Sequence, residues 1–175
     1  MKHLMWIPLL LLFVTCGGGT GPAAEETTRD STAAEASTAI DLASHDLPLL
    51  LTAPDKQFTE GQEPSFVWKD ETGKLEVKAG AHFGLVITEE PGDIPRLKAS
   101  LDRDLLRKNS ILSETTELLT YRSEFPDDPS LVFLHFYRVV RAGDRTFVVE
   151  DLEGQPYNQQ DIERMSAAVS PKPPA

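Results

Sequence analysis

A run of apolar residues at positions 131–137 most constrains the fold of this chain. Side chains of a β-strand alternate between the two faces of its sheet, and this run, Leu-Val-Phe-Leu-His-Phe-Tyr, is mainly apolar in both alternating sets of positions. A strand of this kind usually lies inside a sheet that is covered on both faces. The run therefore predicts a layered domain with other elements packed on each side of a sheet.

Six further segments have strand-like patterns, because each is short, apolar or alternating and ends near turn residues: 47–53, 65–69, 75–79, 83–88, 115–122 and 146–151. The polar turn 70–73 and the Gly-containing connection 141–145 indicate two hairpins. Hairpins join antiparallel strands, so these segments predict a mostly antiparallel sheet.

Two segments have helical patterns. The first covers residues 93–109, with Asp93 as N-cap and an apolar stripe of Ile94, Leu97, Leu101 and Leu105. The second covers residues 158–170, begins with a sequence that resembles a capping box, and carries a buried stripe of Ile162, Met165 and Val169. We therefore expect one α+β domain at residues 40–170, with two main helices packed on the sheet and a disordered tail at 171–175.

Residues 1–16 have the architecture of a secretory signal peptide, with Lys2 before an apolar run at 4–14. As a helix this run would be about 16 Å long, which is too short for a hydrocarbon core of about 30 Å. Residues 12–16 resemble the lipobox of bacterial lipoproteins. This resemblance implies that residues 1–15 are removed and that Cys16 carries lipid, including acyl chains such as palmitate. The alternative is an ordinary signal peptide cleaved near Ala23.

The expected location is the bacterial cell envelope. Cys16 is the only cysteine, so a disulfide within the chain is impossible. Gly17 follows it, rather than the Asp that retains many lipoproteins at the inner membrane, and this favours the outer membrane. Residues 16–39 contain no aromatic residue and are rich in Gly, Ala, Thr, Ser and Glu, a composition that predicts a disordered tether.

The order of strands, helix, strands and helix, together with the ending at residues 160–165, resembles the Mog1/PsbP-type fold over residues 40–170. Residues 47–55 and 147–151 are also similar to segments of small uncharacterised lipoproteins of Bacteroidetes-type bacteria. These resemblances imply an α/β/α sandwich and a binding or accessory role. They bring no catalytic residues with them.

Charge and residue types exclude several functions. The chain has 28 Asp and Glu against 17 Lys and Arg, whereas nucleic-acid binding needs a basic surface. No two of the four histidines have metal-ligand spacing, so neither a metal nor another cofactor is expected.

His135 is interpreted as a packed histidine rather than a catalytic one. Paired acids, interpreted as solvated, adjoin turns at Glu89-Glu90, Asp127-Asp128 and Glu150-Asp151.

Five residues form a candidate binding surface: Arg96, Arg103, Arg107, Trp68 and Tyr157. The arginines belong to the one basic concentration in the chain, where Lys98 with Asp102 and Asp104 with Lys108 are spaced as i,i+4 ion pairs. A salt-bridged helix face is one interpretation, and a patch for anions or lipid headgroups is the other. Either aromatic residue could cover the core or line a ligand groove.

Two functions remain open. One is a non-catalytic binding or accessory module, anchored through lipid on Cys16, with an envelope protein or a small ligand as partner. The other is an envelope hydrolase whose catalytic triad is dispersed in the sequence. A Ser, a His and an acid meeting around His82 or His135 would favour the hydrolase.

Overall fold

A computed structural model of the chain describes residues 38–173. Within this range there are ten β-strands, two α-helices and a 3-10 helix at Leu42–His45. The helices are α1 (Ile94–Leu101) and α2 (Gln159–Ala167). The strands are β1 (Ala39–Asp41), β2 (Leu49–Thr52), β3 (Ser65–Lys69), β4 (Lys74–Lys78), β5 (Gly84–Glu89), β6 (Lys108–Glu114), β7 (Leu118–Phe125), β8 (Asp128–Ala142), β9 (Arg145–Asp151) and β10 (Val169–Pro171).

The strands form two sheets in which all neighbours are antiparallel. The larger sheet has the order β3-β4-β5-β9-β8-β7-β6, and the smaller has the order β1-β2-β10. The predicted α+β class, with a mostly antiparallel sheet and two main helices, is therefore confirmed. Ala39 and Pro171, each one residue outside the predicted limits of the domain, belong to strands β1 and β10. They pair with Thr52 and Leu49 of β2.

The apolar run 131–137 lies in β8, between β7 and β9 in the larger sheet. Its last two residues, Phe136 and Tyr137, point to opposite faces, and their side chains are 1% and 7% exposed. Phe136 belongs to the main core with Ile162 and Met165 of α2 and with β2 of the smaller sheet. Tyr137 belongs to a second core with Ile94 of α1. Both faces of the sheet are thus covered at this point, as the run predicted.

The second helix agrees with its sequence pattern at its start and differs at its end. Asn158 and Asp161 form the expected capping box, in which each side chain accepts a hydrogen bond from the other residue's backbone N–H. The helix ends at Ala167, whereas the prediction continued to residue 170. Val169 instead pairs with Leu51 in β10, because strand pairing with a distant segment offers its backbone better partners than a frayed last turn.

The first helix is eight residues long, so the prediction of a helix over 93–109 was wrong beyond Leu101. Residues 108–114 form β6, the edge strand that pairs with β7. The two expected ion pairs are also absent, since Lys98 pairs with Glu114 and Asp104 with Arg107. Leu105, expected on the buried stripe, is 95% exposed. Spacing alone made residues 102–109 look helical, but local capping by Asp104 and pairing with β7 decide their structure.

No helix of residues 38–173 is both long enough and apolar enough to cross a membrane. The predicted signal peptide, Cys16 and all of the tether before residue 38 lie outside the described residues.

Candidate functional site

A cleft of about 360 Å³ lies on the face of the larger sheet that α1 covers, next to the last residue of that helix. Five strands contribute to its lining, which is mainly polar: Lys74, Glu76, Val86, Leu101, Arg107, Tyr121, His135, Glu150, Asp151, Leu152 and Glu153. The cleft therefore collects side chains from segments that are up to 79 positions apart in the sequence.

A buried pair, His135 and Asp151, forms one wall of the cleft. Asp151 Oδ2 lies 2.8 Å from His135 Nδ1, and Asp151 Oδ1 accepts a hydrogen bond of 2.9 Å from the backbone N–H of Phe136. Each residue is 7% exposed. The last β8–β9 pair is Tyr137 with Glu150, so the Asp151 side chain bonds to β8 just where the backbone pairing stops. This geometry favours the His135 tautomer with hydrogen on Nδ1, which leaves Nε2 as an acceptor.

Aromatic neighbours hold the His135 ring. Tyr121, its cross-strand partner in β7, stacks on it with a centroid distance of 4.9 Å, and Phe133 lies parallel at 6.4 Å. Burial raises the pKa of the Tyr121 hydroxyl, and the charge of Asp151 raises it further. Tyr121 therefore stays neutral and can donate a hydrogen bond into the cleft.

Glu150 is the other unusual acid of the cleft. Its side chain is half-buried, and burial raises its pKa above the ordinary value. The negative charges of Glu90, Asp151 and Glu153 act in the same direction, whereas Lys74 opposes them. A carboxylate in this position is costly unless it is paired, which makes it a candidate for contact with a ligand.

Four polar groups of the cleft lack a side-chain partner. Within residues 38–173, no side-chain hydrogen bond or ion pair is formed by the Glu150 carboxylate, the Lys74 ammonium or the Tyr121 hydroxyl, and His135 bonds only through Nδ1. His135 is buried, whereas Glu150, Lys74 and Tyr121 are half-buried. Polar groups that line one concave site without side-chain partners suit a small polar ligand.

The five residues of the predicted binding surface are not brought together. Arg107 alone among them lines the cleft, where its Nε donates to Asp104 at 2.8 Å. Arg96 and Arg103 are exposed. Trp68 lies on the edge strand β3 and is 42% exposed, whereas Tyr157 is in the main core and only 5% exposed.

Sequence reasoning missed the two acids at the end of β9. The interpretation as solvated turn residues holds for Asp127 and Asp128, which are exposed, but it was wrong for Asp151. The available signal was that Glu150 and Asp151 directly continue the buried strand segment Phe147, Val148 and Val149. The expected packing of His135 is confirmed by its burial and ring contacts, although its acid partner was not foreseen.

The components of a triad are only partly present. Among the described hydrogen bonds, the His135 side chain bonds to Asp151 and the His82 side chain to Asp161, at 3.1 Å, and no serine hydroxyl bonds to either ring. Residues 38–173 also contain no group of three or more His, Cys, Asp or Glu side chains that could hold a metal ion. No family model, curated protein or solved structure matches this chain.

Proposed function

We propose that this chain is a lipid-anchored protein of the bacterial envelope, located at the outer membrane, whose folded domain is a non-catalytic binding module. The ligand site is the cleft beside His135. One observation carries this assignment: Glu150, Lys74 and Tyr121 line the cleft beside His135, and none of these three side chains has a hydrogen-bond or ion-pair partner among the described residues. Groups of this kind recover their lost hydration when a ligand supplies matching donors and acceptors.

The charges of the cleft indicate the chemistry of the ligand. Several of its ions are already paired: Glu76 with Lys69, Arg107 with Asp104 and Asp151 with His135. Three charged groups of the cleft are left without an ion-pair partner within residues 38–173: the carboxylates of Glu150 and Glu153 and the ammonium of Lys74. A small molecule with a cationic amine and a separate acceptor, as in a zwitterion, would complement both signs.

A ligand screen with matched variants tests the site. The purified full chain would be heated with a panel of amines, amino acids and other zwitterions, and the unfolding midpoint would be recorded. We expect at least one compound to raise the midpoint of the wild type and of Glu71→Gln, an exposed position in the turn before β4, but not of Glu150→Gln. Equal stabilisation of Glu150→Gln would contradict the site.

The anchor has a separate test, based on the sequence context of Cys16. We expect wild-type chain expressed in a lipoprotein-processing bacterium to incorporate labelled palmitate and to fractionate with membranes. Cys16→Ser should lose the label, because it removes the sulfur that forms the thioether to lipid. Unchanged labelling of that variant would disprove the proposed anchor.

Hydrolysis is the second candidate, because the His135–Asp151 bond corresponds to the base and acid of a catalytic triad. Under this alternative, a panel of activated esters would be turned over by the wild type, and His135→Gln would lose the activity. The binding proposal predicts no turnover above the rate of His135→Gln.

A further inference from the structure

The loop between α1 and β6, residues 102–107, carries two adjacent leucines that point into solvent. Leu105 is 95% exposed and Leu106 is 77% exposed, and they are the most exposed large apolar side chains of residues 38–173. Single exposed leucines are common on protein surfaces, but two neighbours at this exposure in one loop are not explained by packing.

Hydrogen bonds hold this loop in its conformation. Asp104 Oδ1 accepts from the backbone N–H groups of Leu106 and Arg107 at 2.9 and 3.1 Å, and Asp104 Oδ2 accepts from Arg107 Nε at 2.8 Å. The Leu106 and Arg107 bonds lower the pKa of Asp104 to about 2, so the carboxylate is ionised at neutral pH. The Asn109 side chain also donates to the carbonyl of Leu101, at the start of the loop. The leucines are therefore presented by an ordered turn.

Unpaired cations flank the two leucines in the sequence. Arg103 lies two residues before Leu105, and Lys108 two residues after Leu106. Both are exposed, and neither side chain forms an ion pair or hydrogen bond with another described residue. The same is true of Arg96 on α1. The side chain of Asp102, which is also exposed and unpaired within the described part of the chain, offsets one of these three positive charges, and the remaining positive charge contrasts with the net charge of −11 of the whole chain.

We infer that this loop, defined by Leu105 and Leu106 with Arg103 and Lys108 beside them, docks on an anionic lipid surface. Apolar side chains enter the boundary between headgroups and acyl chains, while neighbouring cations meet lipid phosphates. A second copy of the chain is a poorer occupant, because a symmetric contact through this loop would bring the same cations together. The inference uses the proposed anchor on Cys16 only as the means that brings the domain to a membrane.

A depth measurement on the full chain tests the docking. After lipidation of Cys16, a cysteine introduced by Leu105→Cys is labelled with an environment-sensitive fluorophore, and the chain is reconstituted into vesicles that contain nitroxide-labelled lipid. One set of vesicles is phosphatidylethanolamine with a quarter phosphatidylglycerol, and the other is phosphatidylcholine. The control is the same label on Glu71→Cys, in the exposed turn between β3 and β4.

We expect the Leu105 label to be quenched at least threefold more than the Glu71 label in the anionic vesicles. This difference in quenching between the two labels should be smaller in the phosphatidylcholine vesicles, and in the anionic vesicles it should fall when Leu106→Asp or the pair Arg103→Glu and Lys108→Glu is added. Equal quenching at both positions would overturn the inference. Flotation and palmitate incorporation report the anchor independently. A chain that incorporates palmitate but shows no quenching of the Leu105 fluorophore refutes the docking alone. Quenching of that fluorophore in a chain without palmitate supports the docking and refutes the anchor.

Discussion

His135 and Asp151 are joined by a hydrogen bond of 2.8 Å at the point where strands β8 and β9 separate. Through its second oxygen, Asp151 also binds the backbone N–H of Phe136. One carboxylate thus does two things, because it replaces a missing backbone pair of the sheet and orients the imidazole at the wall of the cleft. The structure of the sheet and the geometry of the candidate site depend on the same side chain.

Replacement of Asp151 by alanine should therefore destabilise the fold. The change leaves the Phe136 N–H and the His135 ring without their partner in a buried place, at an expected cost of about 3 kcal/mol. Urea denaturation would measure it. Asp127→Ala, in an exposed turn, is the control and should change the free energy of unfolding by less than about 0.5 kcal/mol. Similar effects of the two changes would contradict the role of Asp151.

Glu150 should reduce stability at neutral pH. Its pKa is raised in the folded state, so its contribution to stability is present below the unfolded pKa of about 4.3 and is lost as the pH rises through the folded pKa. Glu150→Gln removes this loss and should raise the melting midpoint at pH 7 by about 2–4 °C. At pH 4 this gain in the melting midpoint should be smaller, because the Glu150 carboxyl is then largely protonated in the wild type as well. Glu153→Gln, an exposed neighbour in the same cleft, should show no such gain at either pH. A lower midpoint for Glu150→Gln at pH 7 would show that the carboxylate is paired.

Arg138 caps the end of α2 from a neighbouring strand. Its Nη1 donates at 2.5 Å to the carbonyl of Ser166, which lies in the last turn of the helix and has no partner within it, and at 3.1 Å to the carbonyl of Val169 in β10. Arg138→Met should lower the free energy of unfolding by about 2 kcal/mol. The matched control is Arg141→Met in the same strand, because Arg141 forms only an exposed ion pair with Glu117 and should matter by less than about 1 kcal/mol. Denaturant titration of both variants would measure these two changes in the free energy of unfolding. A larger loss for Arg141→Met than for Arg138→Met would refute the capping role.

Gly84 allows Tyr157 to enter the core. A Cβ at position 84 would overlap the Tyr157 hydroxyl and come within 3.2 Å of Leu152 Cβ. Gly84→Ala should cost about 2 kcal/mol, as overpacking of a dense core does. Tyr157→Phe removes the overlapping oxygen, so the double variant should regain part of that loss. A double-mutant cycle measures this coupling, and strictly additive effects would contradict it.

The sequence alone was sufficient for features that rest on short-range physics. The two-sided apolar run in β8 predicted a sheet covered on both faces, since alternation along a strand is a local property. The capping box of Asn158 and Asp161 marked the start of α2 correctly, because an N-cap involves residues only three positions apart. Signal-peptide architecture around Cys16 is another local pattern, and the lipid anchor derived from it stays a prediction.

Tertiary structure decided whatever depends on distant partners. Leu105 has helical spacing, yet it is exposed because Asp104 caps a turn and residues 108–114 pair with β7. Val169 leaves the helical pattern to pair with Leu51, more than a hundred residues away in the chain. The cleft arises in the same way, since Lys74, His135 and Glu150 meet only when five strands are aligned. Periodicity and capping act over about one turn, whereas sheet pairing and a site's geometry depend on which distant segments the whole fold brings together.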